Sequence, residues 1–219
     1  MTPLLSGRAE EPSGAALSLS ETWLTPWVPR QGDLFLDIGA NVGQWTNVLA
    51  PRFRHVHAIE PGAEAVAILK KKAPANVVIH EFAAWSAEEE REFASFASSE
   101  HLSAYFENEG INTGPKRGTV TLPCRRLDTL CLEGKVDFIK CDVEGAEVRV
   151  FDGAERLIGE HRPRLLIEVH SRENLRLLVE WLARQRYRCQ VVRHPAYPPF
   201  SAHWFDHCWI AADPVCAPG

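Results

Sequence analysis

The sequence predicts an α/β protein built on a mostly parallel sheet with helices on both faces. Three observations carry this expectation. Short apolar or β-branched runs recur at 34–38, 55–60, 76–82, 136–141, 164–169 and 187–192. Segments that suit helices fit between most of them, at 42–51, 62–72, 145–158 and 171–185. The first run ends in a glycine-spaced turn, Asp37-Ile38-Gly39-Ala40-Asn41-Val42-Gly43, that leads straight into a helical pattern. Strands buried on both faces read as continuous apolar runs, and strand–helix alternation builds parallel sheets.

The 219 residues suit one domain over 18–213, between a loose Pro-, Gly-, Ser- and Glu-rich leader at 1–17 and a tail at 214–219. Over 18–29, Trp23, Leu24, Trp27 and Val28 offer apolar surface to the main body, and Pro26 and Pro29 restrict any helix to a short piece. Leu175, Leu178, Val179 and Leu182 follow i, i+3, i+4, i+7 spacing, the stripe of an amphipathic helix over 171–185. Val150, Phe151, Ala154, Leu157 and Ile158 form the stripe of 145–158, where Gly153 is placed to divide the helix. Residues 86–127 depart from the alternation: two β-like pieces, 90–97 and 119–124, flank a long polar loop. A loop of that length suits a lid, and a surface hairpin is the other reading. A last strand is expected within 203–212.

Bulk properties narrow the function. A net charge of -5 supplies no basic field for nucleic acid or an anionic membrane, and no apolar run reaches the ~20 residues of a bilayer span. The first 30 residues lack the basic start and apolar core of a secretory signal. Cys124, Cys131, Cys141, Cys189, Cys208 and Cys216 contain no C-x-x-C pair, so they read as reduced thiols of a cytoplasmic protein. Arg172, Arg176, Arg184, Arg186, Arg188 and Arg193 read as a solvated face.

The turn after the first strand is where ligands of open α/β sheets bind. Its Gly39 and Gly43 are spaced G-x-x-x-G, one glycine short of the dinucleotide fingerprint, and no G-K-[ST] of a P-loop follows. Asp37, just before the turn, would repel a pyrophosphate and suits a cationic or zwitterionic ligand. Glu60 ends the second strand, where a carboxylate can accept both hydroxyls of a ribose.

Asp37, Gly39, Gly43 and Glu60 together resemble the S-adenosylmethionine site of a class I methyltransferase. The segments DIGANVGQWT, AIEP, DFIKCDVEGAE and LIEVH, spread between residues 33 and 170, resemble the successive motifs of the FkbM-type methyltransferases. The resemblance implies a Rossmann-like fold with a seven-stranded, mostly parallel sheet, strand order 3-2-1-4-5-7-6, and an antiparallel last hairpin. It implies S-adenosylmethionine as cofactor and methyl transfer to an oxygen of a sugar, macrolide or other natural product. By position, Asp37 meets the amino-acid part of the cofactor directly or through water, and Gly39 and Gly43 allow close approach. Asn41 bonds the same carboxylate or the sugar, Glu60 takes the ribose hydroxyls, and Phe82, Ala83 and Ala84 lie by the adenine. Strand-end packing is the other reading of those last three.

The fourth strand of such a sheet lies beside the first, so its carboxyl end faces the reactive methyl. Asp142 and Glu144 stand there, with Asp142 next to both the cofactor and the reactive centre. The neighbouring LLIEVH strand presents Glu168 and His170 on one side. A hydroxyl acceptor has to be held about 3 Å from the methyl and has to lose a proton. His170 is the base by chemistry and Asp142 by position. Helix capping is the bland reading of Glu144, Glu147 and His170. The ligand set is not diagnostic of a metal, and His203 with His207, like His55 with His57, share a strand face, so no metal is expected. The resulting expectation is a small-molecule acceptor and O-methylation. N-methylation of an amine is the first alternative and a non-catalytic cofactor-binding scaffold the second. The sequence leaves the acceptor and the oligomeric state open.

Overall fold

The computed structural model describes residues 22–96, 104–105, 116–193, 195 and 207–215. Seven strands form its main sheet: β1 (Gly32–Ile38), β2 (Phe53–Ile59), β3 (Val77–His80), β8 (Val136–Cys141), β9 (Arg164–Val169), β10 (Tyr187–Val192) and β11 (Cys208–Pro214). Their order is β10-β11-β9-β8-β1-β2-β3, which is 3-2-1-4-5-7-6 when the seven are numbered along the chain. All neighbours are parallel except β11, which runs against both β9 and β10. The fold class and strand order expected from the resemblance are therefore present.

Both faces of the sheet are covered. On one, Phe35 of β1 stacks on Phe138 of β8 with centroids 5.2 Å apart, and Trp45 of α1 (Gln44–Leu49) meets Trp209 of β11 at 5.9 Å. The 3-10 turn Thr22–Trp27 adds Leu24 to this core, so the apolar surface of this segment packs on the main body as expected. The opposite face packs Leu36 and Ile139 under α3 (Glu147–Asp152), α4 (Glu155–His161) and α5 (Arg172–Arg184) through Val150, Phe151, Leu178, Trp181 and Leu182. The helix α2 (Ala63–Lys72) links β2 to β3 and buries Ala65, Val66 and Leu69. The expected helix over 145–158 is two pieces, split at Gly153, where a side chain would come within 1.9 Å of the Trp85 carbonyl oxygen.

The expected third strand over 76–82 is corrected. The chain leaves the main sheet after His80, and Ala83–Ala84 form β4, which pairs parallel with Cys124 and Arg125. That pairing seeds a second sheet, β4-β7-β5-β6, in which β5 (Glu89–Phe96) and β7 (Lys116–Arg125) are antiparallel and β6 is Ala104–Tyr105. Most of the loop expected as a lid, the leader 1–17 and residues 203–206 lie outside the described residues. Among the described residues, no helix is long and apolar enough to cross a membrane.

Candidate active site

The parallel strands β1, β2, β8 and β9 all end at the same edge of the main sheet, and the residues singled out in the sequence gather there. The turn after β1 is built on Gly39, whose φ of +72° falls where L side chains are strained. A Cβ on it would lie 1.7 Å from the Asp142 carbonyl oxygen, so β8 can close on β1 only over a glycine. Asn41 (φ 50°) and Gly43 (φ 87°) are left-handed as well, and the turn tightens with Gly43 N–H donating to the Ala40 carbonyl at 2.9 Å.

Glu60 faces this turn. Its Oε2 accepts from Asn41 N–H at 2.9 Å and its Oε1 from Gly62 N–H at 2.7 Å. Burial nevertheless dominates and pushes its carboxyl up to about 7. Gly39, Asn41, Glu60, Phe82, Ala83, Ala84, Phe93, Asp142, Glu144 and Ala146 are among the residues lining one cavity at this edge. Oδ1 of Asn41 is buried with no hydrogen-bond partner, a polar atom left for a ligand.

Asp37 differs from its expected place. Its side chain is fully buried, below the turn, and does not line the cavity. Thr46 Oγ1 donates to its Oδ2 at 2.6 Å, and Lys140 Nζ stands 3.6 Å from its Oδ1. Burial raises its carboxyl pKa, with Lys140 and Thr46 acting against that. The register of β1 and β8 explains the contact, since Asp37 and Lys140 are paired across the ladder. Lys140 also lies 3.4 Å from Asp142 Oδ2 and donates to the Gly39 carbonyl at 3.1 Å. No pattern in the sequence singles out Lys140, yet it joins the turn, Asp37 and Asp142 through one buried ammonium.

The acids and histidines expected at the reactive centre do converge. His170 follows β9, and its Nδ1 meets Glu147 Oε1 at 2.7 Å in a buried contact. Glu147 is fixed in turn by Gly145 N–H and the Asn174 side-chain amide. His170 Nε2 lies 3.3 Å from Glu144 Oε2 and 3.8 Å from Asp142 Oδ1. Glu144 reaches it from a left-handed φ of 56°, a conformation costing roughly 1–3 kcal/mol that surrounding contacts have to hold. On the far side Glu168 Oε1 meets His207 Nε2 at 2.5 Å, and the two imidazoles stack at 5.0 Å.

Charge fixes the protonation of this cluster. Burial opposes a charged His170, but the hydrogen bond and charge of Glu147, then Glu144 and Asp142, outweigh it and hold the imidazole up at about 10. Burial likewise opposes an ionised Asp142, yet Lys140 and His170 keep that carboxyl below its usual range. Glu168, buried beside the Asp142 charge, is driven well above the usual carboxyl range. These charges favour an imidazolium at His170 and a carboxylate at Asp142, and they disfavour ionisation of Glu168. This argues against His170 as the base: as an imidazolium it holds Asp142 anionic, and its Nε2 offers a lone pair only when that proton is displaced.

The sequence matches the Methyltransferase FkbM domain over residues 37–189. The chain belongs to this family. Methyl transfer from S-adenosylmethionine is the chemistry of that family. Solved structures agree on the fold. An FkbM methyltransferase from Methylobacillus flagellatus KT superposes with a TM-score of 0.60 at 20% identity, covering 88% of this chain and 47% of that one. The chain thus spans about half the length of that relative. The precorrin 8w decarboxylase of Methanobacterium thermoautotrophicum gives 0.55 at 15% identity, over 93% of both chains. A Streptococcus mutans protein in complex with SAH gives 0.53 at 11% identity, over 92% and 98%. No curated protein matches the sequence.

The residues of this FkbM domain fit the cofactor. Glu60 offers carboxylate oxygens and Asn41 a buried unpartnered oxygen, and Gly39 lines the same cavity. Phe82, Ala83 and Ala84 line the cavity with apolar surface while also packing in the cores, so both readings of them describe the same atoms. Thr46, Glu147, Asn174 and His207, like Lys140, act on the candidate residues and were not found from the sequence. Each sits in a run whose periodicity gives no sign of them.

Proposed function

We propose that this FkbM domain transfers a methyl group from S-adenosylmethionine to an oxygen of a small, polar, hydroxylated acceptor, with Asp142 receiving the hydroxyl proton. The observation that carries the reading is an ionised Asp142, held by Lys140 and His170, on the wall of the cavity that Glu60 and Asn41 share. The cofactor supplies a methyl already activated by its sulfonium. The protein's own task is to place the hydroxyl and to take its proton.

A carboxylate of low pKa is a weak base toward a free alcohol, yet it suffices here. As the new C–O bond forms, the acceptor oxygen becomes strongly acidic, and its proton moves to Asp142 in or after the transition state. Burial and the Asp142 charge disfavour a second negative charge on Glu168. Glu60 holds the ribose hydroxyls, Asn41 the amino-acid or sugar oxygens, and Phe82–Ala84 the adenine face. Asp37 acts indirectly, by positioning Lys140.

With labelled cofactor and a panel of hydroxylated acceptors, the wild-type chain is expected to label at least one. Asp142→Asn at saturating cofactor is expected to lower kcat by about 100-fold, the scale of one general base. A variant keeping most of its kcat would remove Asp142 from the chemistry. An amine acceptor is the second reading, favoured by the two carboxyl groups of Asp142 and Glu144 on the cavity wall. Its signature is labelling of amines that survives Asp142→Asn and rises with pH through the pKa of the amine.

A further inference from the structure

One element of the cluster at the ends of β8 and β9 is not needed for the methyl-transfer reading: the left-handed Glu144. We propose that His170 Nε2, Asp142 and Glu144 bind one divalent cation at the cavity wall.

The first support is the orientation of the ring. His170 donates Nδ1–H to Glu147 Oε1 at 2.7 Å, and Glu147 is fully buried and itself held by Gly145 and Asn174. Metal-ligating histidines are held in this way, with one nitrogen given to a carboxylate and the other left for the ion. The second is distance. Two ligand atoms each ~2.1 Å from an ion and at right angles are ~3.0 Å apart, and in a tetrahedral arrangement ~3.4 Å apart. Nε2 stands 3.3 Å from Glu144 Oε2 and 3.8 Å from Asp142 Oδ1, and all three atoms lie within 4.8 Å of one another. An ion enters by displacing the Nε2 proton of His170 to solvent, with movements of tenths of an ångström. The third is an orphan atom. Asp142 divides its oxygens: Oδ2 is near Lys140 at 3.4 Å, while Oδ1, turned to His170, is buried with no hydrogen-bond partner.

A rival set, Glu168, His170 and His207, also clusters within 4.8 Å. Its geometry is poorer. An imidazole binds a metal in the plane of its ring, and the two rings are stacked 5.0 Å apart at an interplanar angle of 27°, so their lone pairs do not meet at one point. Glu168 is also already engaged with His207 at 2.5 Å. One imidazole and two carboxylates form a mainly hard ligand set, suited to Mn²⁺ or Mg²⁺ more than to a soft ion. Asp142 and Glu144 line the cavity, so the remaining coordination positions open toward it. That these positions take the acceptor oxygen, lowering its pKa, rests on the methyl-transfer reading; the binding of the ion does not. No metal is expected from the sequence, where the acids and His170 are not a diagnostic ligand set.

The test is titration of the full chain with Mn²⁺ followed by electron paramagnetic resonance, with S-adenosylhomocysteine binding measured by calorimetry on the same sample. The expected result is one bound Mn²⁺ per chain. Glu144→Gln, at a half-buried position, is expected to weaken it at least 10-fold with an unchanged melting temperature, and Glu147→Gln by 10–100-fold, the usual effect of a supporting carboxylate. His207→Ala is expected to leave it within about 3-fold, since His207 belongs only to the rival set. No Mn²⁺ binding, or binding lost in His207→Ala and kept in Glu144→Gln, overturns the proposal. Cofactor-product binding without Mn²⁺ binding sinks only the ion, and Mn²⁺ binding without cofactor-product binding sinks only the methyl-transfer reading.

Discussion

Lys140 sits 2% exposed between two acids, and its ammonium touches the turn that the cofactor approaches. Removing one member of a buried ion pair costs about 3–5 kcal/mol, because the remaining charge has no water to turn to. Lys140→Met is therefore expected to lower stability by that amount in urea denaturation, and a loss below about 1 kcal/mol would mean that Asp37 is neutral without it. Glu60 gives a pH prediction. Its carboxyl is raised from 4.5 to about 7 by burial, so the folded chain holds that proton more tightly than the unfolded one between those values. Its contribution to stability thus declines as pH rises from 4.5 to about 7 and is level above. Cofactor affinity runs the other way: ribose hydroxyls donate to the carboxylate, so affinity is expected to rise through pH 7 and then level off. Glu60→Gln should flatten that profile in calorimetry, and a wild-type profile that falls over the same range would contradict the assignment.

At the scale of elements, the turn after β1 governs the site. Gly39→Ala puts a methyl 1.7 Å from the Asp142 carbonyl and strains a φ of +72°, so β8 and β1 can no longer close. S-adenosylhomocysteine binding is expected to fall at least 10-fold, about 1.4 kcal/mol, and unchanged binding would show that the turn is not where the ligand lies. The turn was legible in the sequence because glycines punctuate a strand end. Glu60 was legible for a similar reason, as a charged residue closing an apolar run. Lys140 was not, since it sits inside an apolar strand and its carbonyl partner is 101 residues away. Nor was the burial of Asp37, because strand periodicity does not say whether an acid faces a cavity or a helix. The His170 contacts with Glu147 and the His207 contact with Glu168 join residues 23 and 39 apart, through sheet order rather than local pattern. The departure of Ala83–Ala84 into a second sheet was likewise hidden, because a strand that changes sheets keeps its apolar character.

Across the whole molecule, the order β10-β11-β9-β8-β1-β2-β3 does the assembling. It sets β8 beside β1, so that Asp37 pairs with Lys140 and Ile38 with Cys141, and it sets β9 beside β8, so that His170 reaches Asp142. Antiparallel β11 brings His207 to the same edge, where its start meets the end of β9. That order came from the resemblance to FkbM methyltransferases, since strand–helix alternation alone permits several arrangements. The central claim is that this edge holds S-adenosylmethionine through Glu60. Calorimetric titration of S-adenosylhomocysteine into the wild-type chain and Glu60→Ala tests it most directly. One site per wild-type chain and an affinity at least 10-fold weaker in the variant, about 1.4 kcal/mol, is the predicted result. No binding to the wild-type chain, or equal binding to both, would contradict it.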